Sequence, residues 1–449
     1  MTQNKTSFLL LALAFLIPSA HAANIQSIPD LPTVNNTTLS LKDALVIAWS
    51  DNITLKESQI DVKSANAATR SAQAQTKPVL STTTYGSYGD SSNILTTSPG
   101  VTPQNIFSVT PNGFADQDLM LTVPIFTGGK LEKNSTAAHQ QEDAAGLMVS
   151  ASRLAVTESV TEAYTNAALQ QALVDSAQAR LTAENEQVRI TQEKVTAGRS
   201  APVDLLREQA EQADASQSLL AAQNNVGLAL INLKTDLGVS QESQITLSDT
   251  LDTLAGAGDL PGTLSDALHQ ADQNRPEMAA AERQIEAARS SVGAAHGEYA
   301  PQIYGVAMGD ATAGQGINRA GYTVGLTASL PILDGGQRRA DVDSATDRLD
   351  KARANAQQTR QQIDQEAASS WLNVQTAQAQ MLSASAGVTA SQEGYDLANL
   401  RYNAGKSVTA ERLDALSALV RAQGELAQAK ASLIIAQARL KAAIGQNVS

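Results

Sequence analysis

The chain carries few side chains of the kinds that usually perform chemistry. It contains no cysteine, which excludes thiol catalysis, disulfides and cysteine-based zinc sites. Its histidines are scattered and predict no metal site: His21, His139, His269 and His296. Nucleophile and phosphate-loop motifs do not occur, and the neighbouring acids Glu142 and Asp143 fall on a helical, solvated surface. The sequence therefore does not favour an enzyme or a cofactor-binding protein.

Two carboxylates near the C-terminal end are the remaining candidates for a functional role. Glu411 and Asp414 lie three residues apart, so a helix would bring them to one face. Taken alone, they are best interpreted as ordinary solvated charges. The net charge is −13, the pI is about 4.8, and lysine and arginine form no run, so the sequence does not predict binding to nucleic acid.

The elements that position these residues are built around a motif that occurs twice. Residues 119–129 and 326–336 each alternate apolar with other residues, pass through a proline and end in a Gly-Gly pair. The two prolines are 207 residues apart (331 − 124). A long proline-free run follows each copy, so the pattern predicts a strand followed by a helix. The residues of these junctions are Pro124, Gly128, Gly129, Pro331, Gly335 and Gly336.

The strands have one apolar face and one small, polar face. Leu119, Leu121 and Val123 share the apolar face of the first copy, and Leu326 and Leu330 share that of the second. This pattern is typical of a membrane barrel strand with lipid on one side and water on the other. A half-buried strand of a soluble sheet is the alternative, and the strand pattern alone favours that alternative.

The helices that follow are unusually long. The runs 128–196 and 335–403 would each extend about 100 Å at 1.5 Å per residue. Each ends at a glycine turn, Gly198 and Gly405, where a positive φ stops the helix. A shorter helix then returns, so such elements do not form a small globule.

The sequence divides into two repeats preceded by a signal peptide. The signal peptide is indicated by Lys5, a following apolar run and the cleavage pattern Ala20-x-Ala22. The expected order is the signal 1–22, an extended lead-in 23–40, repeat 1 (41–238), a linker 239–263, repeat 2 (264–445) and a tail 446–449. Repeat 1 is expected to contain a helix ending near 76, strand 79–89, loop 90–115, strand 117–127, helix 128–196 and helix 202–238. Repeat 2 is expected to contain an opening helix, strand 302–310, a loop, strand 321–333, helix 335–403 and helix 408–444.

Four strands per chain cannot close a membrane barrel, because bacterial barrels begin at about eight strands. The chain must therefore assemble with copies of itself, and two to four copies are the simple cyclic options. Three copies would give twelve strands. The predicted fold is thus a mixed α+β membrane protein, with four barrel strands and long coiled helices per chain.

The sequence resembles the TolC family of outer-membrane efflux proteins. The resemblance rests on the paired Pro-Ile-Phe-x-Gly-Gly and Pro-Ile-Leu-Asp-Gly-Gly motifs and on the turn Arg401-Tyr-Asn-Ala-Gly405, and covers residues 41–445. It implies a homotrimer with a 12-stranded outer-membrane barrel and a periplasmic helical tunnel. It also implies a passive exit duct for efflux or type I secretion, with no cofactor. The implied partners are a periplasmic adaptor and an inner-membrane pump of RND, ABC or MFS type.

The resemblance also assigns roles near the two turns, at the closed tip of the tunnel. It implies that Asp204 and Tyr402 hold the tip closed, and that Gly198 and Gly405 lie where the adaptor binds. Ser407 stands where the family often has an arginine, so Lys406 would substitute for that cation. In this context Glu411 and Asp414 are expected to form carboxylate rings in the pore, which favour cations.

A protein of another class remains the alternative. A periplasmic or surface coiled-coil protein, acting as a stalk or an adaptor, would also contain long Ala-rich helices. A stalk would not need two strand–loop–strand segments of matching phase, and an adaptor would normally carry one helical hairpin between compact β domains.

Overall fold

The computed structural model describes residues 30–34, 37–87, 93–96, 104–108, 114–254, 260–314 and 317–446. The predicted signal 1–22 lies outside these ranges, as do parts of the lead-in 23–40, the loop 90–115, the linker 239–263 and the tail 446–449. The first repeat contains β1 Thr37–Leu39, α1 Leu41–Asp51, α2 Ile53–Ala74, β2 Val79–Ser87, β3 Asn93–Thr96, β4 Gln104–Ser108, β5 Phe114–Phe126, α3 Lys130–Thr196 and α4 Pro202–Leu237. The rest contains β6 Ile245–Leu247, α5 Leu251–Leu254, α6 Leu264–Asn274, α7 Pro276–Gly297, β7 Gln302–Gly314, β8 Ile317–Ser329, α8 Gln337–Asn403 and α9 Thr409–Ala443.

The main sheet is antiparallel and has the strand order β2-β5-β7-β8. Leu121 lies opposite Ala307, which lies opposite Val324, and Val123 lies opposite Gly305, which lies opposite Leu326. Large apolar side chains of β5 and β8 therefore flank a column of glycine and alanine on β7. Residues directly opposite in an antiparallel pair share a face, so this part of β5, β7 and β8 presents one apolar surface.

The strands differ in length from the prediction. The loop expected at 90–115 contains the paired strands β3 and β4, and β5 begins at Phe114. In the second repeat, β7 and β8 extend to Gly314 and from Ile317, well into the expected loop. Glycine, asparagine and alanine there suggest a turn, but the cross-strand ladder holds them in register. β8 ends at Ser329, before Pro331, which has no N–H to donate to a ladder.

The shorter helices before the sheet are each broken in two, where the sequence predicted one. Asn52 separates α1 from α2, and its side chain accepts a hydrogen bond from the Leu55 N–H (3.1 Å) and donates to the Asp236 carbonyl (2.7 Å). Arg275 separates α6 from α7, because the residue before Pro276 avoids the helical region. A capping side chain and a proline thus decide breaks that hydrophobic periodicity does not reveal.

The long helices α3 and α8 each span 67 residues. They begin two residues later than predicted, because the Gly-Gly pairs adopt positive φ and cap the helices instead of joining them. In the part of the chain that the structure describes, no helix contains a stretch long and apolar enough to cross a bilayer.

A second, small sheet joins the lead-in to the linker. β1 pairs with β6 in parallel, so parts of the predicted lead-in and of the predicted linker form a regular sheet. The buried hydroxyl of Tyr164 donates to the Leu39 carbonyl at 2.7 Å and lies 3.2 Å from an Asp249 carboxylate oxygen. Burial raises the pKa of Tyr164 to about 12, so the phenol stays neutral and can donate.

Close packing at the first strand–helix junction leaves no space for a side chain at Gly128. A Cβ added at Gly128 (φ 61°) would collide with the carbonyl of Gly297 and the side chain of Ala300, whereas one at Gly335 (φ 65°) would meet nothing within 4 Å. Both substitutions carry the strain of a left-handed backbone, about 1–3 kcal/mol. We therefore expect Gly128→Ala to lower the unfolding temperature, followed by far-UV circular dichroism in detergent, clearly more than its control Gly335→Ala. Equal effects would contradict this account of the junction.

Candidate functional site

The two long helical hairpins turn in the same way. After α3, Gly198 adopts φ 67°, and the Arg199 N–H donates to the Lys194 carbonyl at 2.8 Å. After α8, Gly405 adopts φ 68°, and the Lys406 N–H donates to the Arg401 carbonyl at 2.9 Å. Both are glycine-capped helix ends of the kind that requires a left-handed residue. We call these two turns and their first flanking helical turns the tip.

Asp204 and Tyr402 line one open groove of about 630 Å³ at the tip. No hydrogen bond joins these two side chains within the described residues. Asp204 accepts hydrogen bonds from the Ser200 hydroxyl (2.9 Å) and the Ala201 N–H (3.3 Å), so it caps the start of α4. The groove thus brings together the two residues predicted to hold the tip, but each is bound by other partners.

Tyr402 contacts the other hairpin through its ring and its hydroxyl. Gln187 on α3 donates to the hydroxyl at 3.4 Å. The Lys194 ammonium lies 4.7 Å from the ring centroid, and the Arg412 guanidinium lies 5.7 Å from it. These cations are within cation–π distance of the ring. Tyr402 therefore connects α8 to α3.

Ser407 and Glu411 repeat the arrangement of Ser200 and Asp204 at the 207-residue offset (411 − 204). The Ser407 hydroxyl donates to Glu411, which also pairs with Arg401 at 3.0 Å. Ser407 therefore binds the first turn of α9, at a position where the resemblance to the TolC family implied a cation. Lys406, also expected to supply that cation, is exposed at the turn.

Asp414 lies three residues beyond Glu411 on α9 and is exposed in the single chain. Glu411 is half-buried and has a cationic partner, so the two carboxylates are not equivalent. Of the pair, Asp414 offers the less compensated negative charge to solvent.

The strand–helix junctions hold the sheet against the helices. Pro124 lies in β5 at a register irregularity, and Pro331 follows β8. In the second junction, Asp334 accepts hydrogen bonds from Arg338 and from the Gly336 N–H (3.0 Å), which lower the pKa of this carboxyl to about 2. Asp334 is therefore ionised across the physiological range and fixes the start of α8.

The second face of the sheet mixes acidic, hydroxyl and apolar side chains, with the acids toward the end near Phe114. Asp118 lies opposite Asp310, and Asp116 lies opposite Thr312, whose hydroxyl donates to it at 2.7 Å. Within the described residues, no three His, Cys, Asp or Glu side chains are arranged to hold a metal ion. One apolar face and one face that carries acids suit a wall between lipid and water.

Near the tip, the structure reveals a buried ion pair that sequence reasoning missed. Arg412 on α9 donates to both carboxylate oxygens of Glu208 on α4, at 3.0 and 3.2 Å. The sequence does indicate that Arg412 is buried, because it lies at helical spacing among the buried residues of one face of α9. These residues are Thr409, Arg412, Leu416 and Leu419. Glu208 begins a similar stripe with Ala215 and Leu219. A charge at a core position of a coiled helix is the pattern to look for.

The ion pair is expected to stabilise the packing of the two hairpins. Arg412→Leu leaves Glu208 buried without its cation and should destabilise the protein by about 3–5 kcal/mol. Replacing both residues, Glu208→Leu with Arg412→Leu, should recover most of this loss. Thermal unfolding in detergent measures both variants, and equal destabilisation by the single and double variants would contradict the pairing.

Comparison with known proteins agrees with this architecture. A family model described as "Outer membrane efflux protein" matches residues 45–239 and 267–446. The outer membrane efflux protein BepC of Brucella suis is 25% identical over 411 residues, 91% of this chain and 85% of its own. The structure of CusC superposes with a TM-score of 0.75 at 19% identity, covering 94% of this chain and 96% of that chain. The outer membrane protein VceC of Vibrio cholerae superposes with a TM-score of 0.70 at 21% identity, covering 91% and 97%. The prediction made from the duplicated motifs is thus confirmed, and the chain belongs to the outer membrane efflux protein family, the channel proteins of the outer membrane that resemble TolC.

Proposed function

We propose that three copies of this chain form a passive exit duct across the outer membrane and periplasm, gated at the helical tip. The observation that carries the proposal is the four-stranded sheet with two free edges. Within the described chain, β2 and β8 are the end strands of the sheet. Unpaired backbone groups in hydrocarbon cost several kcal/mol each, so open edges do not occur there. Pairing β8 of one copy with β2 of the next removes every edge.

The width that a duct needs favours three copies over two. Two copies would give eight strands, and the interior of an eight-stranded barrel is just wide enough for side chains to fill. Three copies give twelve strands and leave an opening lined by the face that carries Asp116, Asp118 and Asp310. The apolar face, with Tyr322, Val324 and Leu326 largely exposed in the single chain, would then face lipid.

The helices support the same assembly. α3 packs against α1, α2, α4, α5, α7 and α9, whereas α8 packs against α6, α7 and α9. Four leucines along α8 are more than half exposed in the single chain: Leu372, Leu382, Leu397 and Leu400. A neighbouring copy would cover this surface and continue the barrel as a helical cylinder.

The duct would depend on other proteins for energy. A passive pore does not itself supply the energy for transport. We therefore propose that an inner-membrane pump of RND, ABC or MFS type drives transport, and that a periplasmic adaptor binds the tip around Gly198 and Gly405. The relative BepC is itself described as an efflux protein, which favours export over a purely structural role.

The assembly can be tested on purified, detergent-extracted protein. We expect a species of three chains that dissociates on heating, and discrete single-channel currents after insertion into planar bilayers. A single dissolved chain without channel activity would contradict the proposal and favour the coiled-coil stalk.

The acidic residues of the tip provide a second test. If Glu411 and Asp414 form rings in the pore, replacing both with alanine should reduce cation-over-anion selectivity, measured from reversal potentials in a salt gradient. Glu193→Ala is the matched control, because Glu193 is an exposed acid near the same tip that pairs with Arg189. Unchanged selectivity in the double variant would mean that the rings lie elsewhere, while single-channel currents alone would still support the duct.

A further inference from the structure

Three charged side chains are buried together where the two hairpins meet. Glu184 on α3, Glu208 on α4 and Arg412 on α9 are 1%, 0% and 3% exposed. We call them the buried trio. They lie about 10–20 Å along their helices from the glycine turns at 1.5 Å per residue. Because the single chain already excludes solvent from them, added copies of the chain cannot expose them.

The charges of the buried trio do not balance. Arg412 supplies one positive charge and binds Glu208 through both carboxylate oxygens. Within the described residues, neither carboxylate oxygen of Glu184 has a hydrogen-bond partner, and the Nε of Arg412 has none either. A second buried carboxylate beside a pair that is already neutral would leave one uncompensated charge. Such a group takes up a proton instead of bearing that cost.

The surrounding groups do not supply the missing cation. Arg180, on the same helix as Glu184, is engaged by Glu211 at 3.3 Å and Asp214 at 3.0 Å, both on α4. From α8, Tyr402 presents its ring to Arg412 and to Lys194. Burial raises the pKa of Glu184 above its usual 4.5, and the nearby Glu208 and Glu211 add to the rise, while Arg412 and Arg180 oppose it.

We propose that the buried trio is a proton-operated latch of the tip, which holds the two hairpins together while Glu184 carries a proton and loosens them when Glu184 ionises. The inference rests on the proposed function, because it assumes that separation of the hairpins opens the duct. Glu184 releases its proton to water, and its charge then requires solvation that only separated hairpins provide. Arg412 stays paired with Glu208 until that separation occurs.

The direction of the pH effect follows from the raised pKa. In the open tip Glu184 is hydrated and titrates near its usual value, whereas in the closed tip it holds its proton to higher pH. Closure is therefore fully favoured below about pH 4.5 and weakens as pH rises toward the closed-state pKa. For each unit that separates the two pKa values, the closed-to-open ratio falls about tenfold across this window.

The experiment measures the fraction of time that single channels of the full chain spend closed, with the tip side at about pH 5 and at about pH 8. We expect wild type to be mostly closed at the lower pH and more open at the higher. Glu184→Gln keeps the size of the side chain but cannot ionise, so its closed fraction should stay at the low-pH value throughout. The closed fraction is compared, not the current, because charged side chains that line an open pore change its current without closing it.

Two further variants sharpen the test. Glu186→Gln removes an exposed carboxylate two residues away on the same helix, paired with Arg189, and should keep the wild-type pH profile. Glu208→Gln removes the carboxylate that competes with Glu184 for Arg412. Glu184 should then ionise more readily and pair with Arg412. The pH at which the wild-type-like transition occurs should then move lower.

The outcomes separate the latch from the duct. A wild-type pH profile in Glu184→Gln would overturn the latch while leaving the channel intact. A wild type whose closed fraction does not change with pH would do the same. A wild type that forms no channels at all would instead contradict the proposed function on which the latch depends.

Discussion

The structure depends on one constraint: a strand edge in hydrocarbon must find a partner for its backbone groups. Among the described residues, the four-stranded sheet pairs β5 with β2 and β7 and pairs β7 with β8, so the outer sides of β2 and β8 lack a partner within this sheet. A soluble protein could leave such edges to water or blunt them with charges. A strand in lipid cannot, so the fold of one chain specifies an assembly of several. The proposed helical cylinder, and the proposed gate at its tip, would continue from the ring that closes the sheet.

The sheet and the helices are joined by short, tightly turned junctions instead of flexible linkers. The Gly-Gly pairs achieve this by turning the chain within two residues, and at Gly128 the backbone packs directly against the carbonyl of Gly297 at the end of α7. In the second repeat, the ionised Asp334 bound to Arg338 fixes the equivalent turn. The two repeats thus share a geometry but stabilise it by different contacts.

Much of this architecture could be predicted from the sequence, because alternation, helical periodicity and a 207-residue repeat are local or internal patterns. The predictions failed where a tertiary contact decided the outcome. Asn52 breaks a helix by reaching Asp236, far along the chain, and the strands β7 and β8 extend through a glycine-rich stretch because each stabilises the other. At the tip, a groove shared by Asp204 and Tyr402 could be anticipated, but Ser200 as the partner of Asp204 could not be inferred from the resemblance.

The buried trio departs from the symmetry of the repeat. At the 207-residue offset, Glu208 corresponds to Ala415, Arg412 corresponds to Leu205, and Glu184 corresponds to Ser391. A duplicated chain in which each hairpin packed like the other would place apolar or small residues at all of these positions. Here one hairpin supplies two acids and the other supplies the cation, so the charges link the two hairpins instead of stabilising each by itself. A buried pair contributes little net stability compared with apolar packing. In the proposed latch, its role is to make the contact between the two hairpins depend on the charge of the neighbouring groups. Glu184 is the unpaired acid of the buried trio, so in the proposed latch the contact persists only while Glu184 carries a proton.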